Sequence, residues 1–390
     1  MIIISGIPPV LSIGAGRFMA QVEQEARPIG PAIQLRYAGN KSAAADYYRK
    51  RQWGHFAGAC LTHFWRRQLR DRMLRDRTVI DAPAVVLVHF QEIGPSWCLQ
   101  LIQRRRHPTW IYLLDSSFFC VRSYNHVAGE NQACLRCVGG QFAEGQRLGC
   151  RPFPLPDRHC WEHLTKLHQL AQTGQVRFLA QTAGQATLVR RHFGLAVTVR
   201  EVGVWTVDLE NVGERETVVT GFDGSAYDAV FHGSAEPAKG VEWALEVASR
   251  CPEMRFLFPT DAKRFSQWSS CRNIEFKPMT WETGLKQHVI ASRFVLVPSL
   301  WSSPIEGALV KSLCLAKNVV IVDVPTAFSA ELPAGLALKL SPTPTQAATE
   351  LRAAWQRGVS IPETIRRPWR EQFLHAQRGI VHRLQRAVRA

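Results

Sequence analysis

Short apolar runs rich in β-branched residues alternate with amphipathic stretches along the whole chain, the pattern left by parallel strands joined through crossover helices. The runs predict strands at 2–5, 84–90, 110–114, 177–180 and 197–200 in the first half, and at 229–231, 254–258, 273–276, 294–297 and 319–322 in the second. Helical periodicity fills 241–250, 281–291 and 307–316 between the later runs. Both halves therefore read as α/β. A further stretch, 65–77, sets Trp65, Leu69, Met73 and Leu74 at helical spacing among arginines. That pattern suits a helix lying on a membrane surface and equally one packed on its own domain with a solvated basic face.

At 390 residues the chain exceeds one small core, and 46% hydrophobic with 21% charged residues excludes a disordered or fibrous protein. A boundary is expected near 205, where Glu201-Val-Gly-Val-Trp-Thr-Val-Asp208 ends the first half, giving domains at 1–205 and 206–361. The remaining 362–390 is Arg-rich and amphipathic, and is expected as a single terminal helix. No run reaches the roughly 18 apolar residues of a membrane-spanning helix. The first residues lack a basic leader and are broken by Gly6, Pro8 and Pro9, so a cytoplasmic location with reduced cysteines is expected.

Charge sharpens this picture. The net +16 is unevenly spread: residues 1–195 carry 25 Lys and Arg against 12 Asp and Glu, and the rest carry 23 against 20. A basic first half could meet nucleic acid, an anionic membrane surface or a phosphate-bearing substrate. No nucleic-acid recognition motif accompanies the arginines, so no specific nucleic-acid partner is expected.

The second half is more specific. Tyr227-Asp-Ala-Val-Phe-His-Gly233 runs through a turn to Lys239 at a helix start. Later, Phe294-Val-Leu-Val-Pro-Ser-Leu-Trp301 leads through Ser302-Ser-Pro-Ile-Glu-Gly307 into Ala308-Leu-Val-Lys-Ser-Leu-Cys314 and the strand near Val319. This order resembles the nucleotide-binding domain of the large retaining family of GT-B glycosyltransferases, glycosyltransferase family 4-like, as a divergent member. Weaker matches in the first half are Gly14-Ala-Gly16-Arg17 after the first strand, a strand ending in His89, and Tyr112-Leu-Leu-Asp115. Residues 40–80 and 120–170 are the least covered.

The resemblance implies two Rossmann-like domains facing a cleft, the first binding the acceptor and the second a nucleoside diphosphate sugar, with the C-terminal helix crossing back to the first. It implies transfer of a sugar with retention of configuration, as in bacterial surface polysaccharide or lipopolysaccharide synthesis. No Asp-x-Asp occurs in the sequence, so fixed protein charge rather than a metal is expected to stabilise the departing diphosphate, and no cofactor is required for catalysis. Lys239 would supply a point charge, and the helix opening at Gly307 and Ala308 would offer free amides and its positive dipole end. Gly233 and Ser303 fall on the same nucleotide-sugar site. Four of the family's usual contacts are absent: its acidic pair falls on Ser303 and Lys311, its Arg on Ser234 and its His on Leu114. Glu306 is then the nearest carboxylate for a donor hydroxyl, and Lys311 a second cation for the diphosphate; Lys239 and Glu306 are the candidate catalytic pair. On the acceptor side the candidates are Gly14, Gly16, Arg17, Asp115 and Asn125.

Cys120, Cys134, Cys137 and Cys150, within a Cys-containing insertion at about 120–160, have one close C-x2-C pair. Four thiolates suit a structural zinc, and buried reduced thiols are the alternative. The expected partners are a nucleotide-sugar donor, a glycan or lipid-linked acceptor, and an anionic membrane in peripheral contact at the inner face. A noncatalytic GT-B-like scaffold and a nucleotide-sugar epimerase are the competing readings.

Overall fold

In the computed structural model, which describes residues 1–10, 14–39, 48, 50–209 and 227–389, the chain divides into two units. The first comprises Met1–Ser123, Arg136–Val207 and Gly379–Ala390, and the second Tyr124–Leu135 and Asp208–Arg378.

The first unit is built on a six-stranded parallel sheet in the order β2-β1-β3-β4-β5-β6. The strands are β1 Ile2–Ser5, β2 Gln34–Tyr37, β3 Val85–Val88, β4 Thr109–Tyr112, β5 Val176–Ala180 and β6 Val199–Glu201. Every residue of β1, β3 and β4 is buried, which is why their apolar runs are continuous and not alternating: helices cover both faces. Helix α1, Gly14–Ala26, follows β1 and buries Phe18, Met19, Val22 and Ala26, the i, i+4, i+8 stripe of a helix lying on the sheet.

The second unit repeats the plan with β7 Ala229–Phe231, β8 Phe256–Phe258, β9 Ile274–Phe276, β10 Phe294–Leu296, β11 Val319–Val322 and β12 Leu338–Leu340, ordered β12-β11-β10-β7-β8-β9 and parallel throughout. Its core joins Phe231, Trp243, Phe256, Phe258, Phe294 and Val320 in one buried cluster, on which Ala133 of the excursion at Tyr124–Leu135 also packs. The sequence reading named ten of the twelve strands. The two it passed over, β2 and β12, are the half-exposed edges of their sheets, carrying Arg36 and Lys339.

The terminal segment differs from the expectation of one helix. Glu363–Gln377 and Ile380–Arg389 are separate helices, interrupted where Arg378 is extended at φ −63°, ψ 158°. Similarly, the segment expected as one helix from Trp281 opens with a π-helical turn, Trp281–Leu285, before Lys286–Ala291. Among the described residues no helix is long and apolar enough to cross a membrane.

Candidate functional site

Strand order decides where a ligand fits. In the second unit β7 leads outward to β8 and β9, whereas β10 leads the other way to β11 and β12, so the direction of winding reverses between β7 and β10. In open parallel sheets ligands bind beyond the carboxyl ends of strands at such a reversal. The two loops leaving β7 and β10 carry the residues singled out in the sequence.

After β7 the chain makes a short 3-10 turn, Pro237–Lys239, with Pro237 in its first turn, and Gly240 then adopts φ +72°. A Cβ at Gly240 would stand 2.0 Å from the carbonyl oxygen of Pro298, so the β7 loop can lie against the β10 loop only because this residue is glycine. Leu300 N donates to Ala238 O at 2.9 Å and ties the two loops further.

That proximity brings Lys239 and Glu306 together. Lys239 Nζ donates to Glu306 Oε1 at 2.5 Å, with side-chain exposures of 13% and 8%. Ser299 Oγ donates to Glu306 Oε2 at 2.6 Å. The ammonium also lies 4.8 Å from the ring of Trp301 and 5.3 Å from that of Tyr124, and the two rings contact each other at 4.5 Å. Trp301 Nε1 is buried with no acceptor, a donor that an incoming oxygen could satisfy.

Glu306 is the N-cap residue of α2, Gly307–Leu315, but its carboxylate does not cap the helix. The helix therefore opens with amides that the N-cap side chain leaves to other acceptors. Gly307 is exposed, with open space where a Cβ would stand. Ala308 follows half-buried. Gly233 lies at the other edge, its virtual Cβ 3.9 Å from Cβ of Lys239. Ser303, buried, uses its carbonyl to accept from Phe328 N at 2.8 Å.

One turn into α2, Lys311 is buried and pairs with Asp208 at 3.1 Å. Its ammonium lies 4.4 Å from the ring of Trp281, which stacks on His232 at 5.0 Å and 10°. His232 Nδ1 is 2.8 Å from Ser312 Oγ. Burial drives the His232 pKa down to about 3, with Lys311 adding to the fall and Asp208 opposing it, so the ring is neutral at physiological pH. Asp208, His232, Trp281, Ser299 and Ser312 were not singled out from sequence. Trp281 at a helix start and Asp208 at the end of the boundary segment that opens with Glu201 were the available signals.

The acceptor-side candidates do not share one surrounding. In the first unit, winding reverses between β1 and β3. Gly16, in the α1 segment that follows β1, is buried where a Cβ would meet Val10 O at 2.2 Å; Gly14 is exposed and Arg17 half-buried. His89, just past β3, holds φ +60° without being glycine, the kind of backbone strain that gathers at binding sites. Asp115 caps its own turn, accepting from Ser117 N at 2.9 Å. Asn125 belongs to the second unit. Its amide donates to Ser302 Oγ at 2.9 Å and Cys134 O at 3.0 Å and accepts from Ser302 N at 3.0 Å, which makes it a tie between loops of that unit.

Among the described residues no three His, Cys, Asp or Glu side chains are grouped to hold a metal ion. Cys120, Cys134, Cys137 and Cys150 are all among the described residues, so no three of them are grouped in this way. Cys160 sits instead in a small apolar cluster with Val121 and Leu164, against which Cys150, Phe142 and Trp161 pack. Burial raises its pKa, as for a core thiol.

No protein-family model matches this sequence, and no curated protein matches it. Solved structures do, over essentially the whole chain. Sucrose-phosphate synthase from Thermosynechococcus elongatus superposes with a TM-score of 0.64 at 11% identity, covering 100% of this chain and 98% of that one. Alr3699/HepE from Anabaena, in complex with UDP-glucose, gives 0.61 at 13% identity over 100% and 98%. The α,α-trehalose 6-phosphate synthase from Burkholderia multivorans gives 0.59 at 12% over 100% and 98%. The chain has the fold these proteins share, GT-B.

Proposed function

We propose that the protein is a glycosyltransferase that moves a sugar from a nucleoside diphosphate sugar to an acceptor. The observation that carries this reading is the meeting of Lys239, Glu306 and the opening of α2 at the reversal point of the second sheet. A GT-B fold held in common with a HepE structure containing UDP-glucose supports it.

In this reading the donor diphosphate takes Lys239 from Glu306 and accepts from the amides at Gly307 and Ala308. A dianionic phosphate beside a helix N-terminus outweighs a single carboxylate as the partner of an ammonium. Glu306, released, accepts from a hydroxyl of the donor sugar. As the bond from the anomeric carbon to the diphosphate oxygen breaks, its electron pair goes to the diphosphate, where fixed positive charge stabilises it without a divalent metal. The acceptor hydroxyl forms the new bond on the same face, with retention of configuration, and gives its proton to the departing diphosphate oxygen. Lys311 adds field at the diphosphate from one turn deeper, and the first unit binds the acceptor, a glycan or lipid-linked intermediate of surface polysaccharide or lipopolysaccharide assembly at the inner membrane face.

A second reading, a GT-B-fold binding protein without turnover, is favoured by the pairing of both lysines, Lys239 with Glu306 and Lys311 with Asp208. Incubation of the purified protein with labelled nucleoside diphosphate sugars in EDTA separates the two. Release of nucleoside diphosphate supports the enzyme, binding without release supports the binding protein, and absence of both overturns the site.

A further inference from the structure

The helix Trp53–Met73 of the first unit buries none of its residues completely. Its half-buried positions Phe56, Ala59, His63, Arg70, Asp71 and Met73 fall largely on the three- and four-residue steps of one helical stripe, the side turned to the protein. The opposite side should then be polar, and it is not. Leu61 is 62% exposed, Phe64 54%, Trp65 60% and Leu69 54%, with Trp53 at 58% near the start. A contiguous run of large apolar side chains facing water marks a contact surface.

Charge chooses the partner. The only acid on this helix is Asp71, against Arg66, Arg67, Arg70 and Arg72. Beside it, between this helix and Pro95–Arg104, lies a cavity of about 380 Å³ lined by Arg67, Arg70, Arg75 and Arg104 with Asp71. Arg70 is held in place there, donating to Ile93 O at 3.1 Å while its own carbonyl accepts from Trp97 Nε1 at 3.1 Å. A second copy docking the same face on itself would bring arginines against arginines. Tryptophan and phenylalanine beside arginine is the composition that settles at the boundary of headgroups and acyl chains.

We infer that this helix docks the protein on a bilayer containing anionic lipid, with Leu61, Phe64, Trp65 and Leu69 inserted at the headgroup boundary and the exposed Arg66, Arg67 and Arg72 meeting lipid phosphate. The inference deepens the reading of a membrane-presented acceptor and rests on it for its purpose, but not for its test.

The test is co-sedimentation of the full chain with vesicles of mixed phosphatidylglycerol and phosphatidylcholine, against vesicles of phosphatidylcholine alone, at physiological salt. The wild type should sediment with the anionic vesicles only. Replacing Leu61, Phe64 and Trp65 together by Ser should lower partitioning about tenfold or more, while Arg66→Glu with Arg67→Glu should remove the preference for anionic lipid. Both variants alter exposed side chains and should keep the wild-type melting temperature and UDP affinity. Wild-type protein left in the supernatant, or a triple variant that sediments undiminished, overturns the inference. So does a wild-type dimer that the triple variant dissolves, because the face would then be a subunit contact. UDP binding is measured separately, so a failed membrane test leaves the nucleotide site standing, and a failed nucleotide site leaves vesicle binding to be read by itself.

Discussion

Replacing Lys239 by Ala should damage the protein twice, and the two injuries can be separated. The substitution removes the ammonium from a pair whose partners are 13% and 8% exposed and leaves Glu306 with only the Ser299 hydroxyl. Breaking a fully buried pair costs about 3–5 kcal/mol; partial exposure and the surviving Ser299 bond lower that, while loss of the contacts to Trp301 and Tyr124 returns about 1 kcal/mol. The expected destabilisation is about 3 kcal/mol in chemical denaturation. Binding suffers independently, because a charge-assisted hydrogen bond to phosphate is worth about 1.5–3 kcal/mol. UDP affinity by calorimetry should therefore fall about tenfold to hundredfold. Combining Lys239→Met with Glu306→Gln leaves no unpaired charge and should recover stability to within about 1 kcal/mol of the wild type, yet UDP affinity should stay low. A folded Lys239→Ala protein that binds UDP within about twofold of wild type would refute the assignment of this side chain to the diphosphate.

Gly240→Ala should cost about 2 kcal/mol or more in urea unfolding, since the residue holds φ +72° and its Cβ would meet Pro298 O; an unchanged midpoint contradicts the loop contact. His192 and His232 both have pKa values driven to about 3 from 6.5, chiefly by burial. The folded values lie below the unfolded ones, so the stability these rings contribute is complete above pH 6.5 and lost as pH falls toward 3. Each should add a slope of about 1.4 kcal/mol per pH unit across that window, and flat stability between pH 6 and 4 would mean that the rings are not buried neutral. Dialysis against EDTA should leave the melting temperature unchanged if the cysteines serve as core thiols, and a large drop would show structural zinc.

The sheets were legible because strands covered on both faces write unbroken apolar runs, as Ile2–Ser5 and Val319–Val322 do. The edge strands Gln34–Tyr37 and Leu338–Leu340 are short, centre on no unbroken apolar run and carry Arg36 and Lys339, so little in their composition separates them from loops. Lys239, Glu306 and Gly307 could be named from the order of strand, turn and helix. Their direct pairing could not, because it depends on two loops 67 residues apart meeting over Gly240. The pairing of Lys311 with Asp208 was hidden for the same reason, and the reach of Asn125 to Ser302 falls within the second unit although the segment reads in sequence as part of the first domain. The cysteine spacing decided less, because one C-x2-C pair does not by itself bring four thiols together, and among the described residues no three are grouped for a metal.

The central claim is that the second unit grips a nucleoside diphosphate with protein charge alone. Calorimetric titration of the wild-type chain with UDP-glucose in excess EDTA tests it most directly. Saturable one-site binding, undiminished by the chelator, is the result predicted; no binding in EDTA, with affinity appearing only on addition of Mg²⁺, would contradict it.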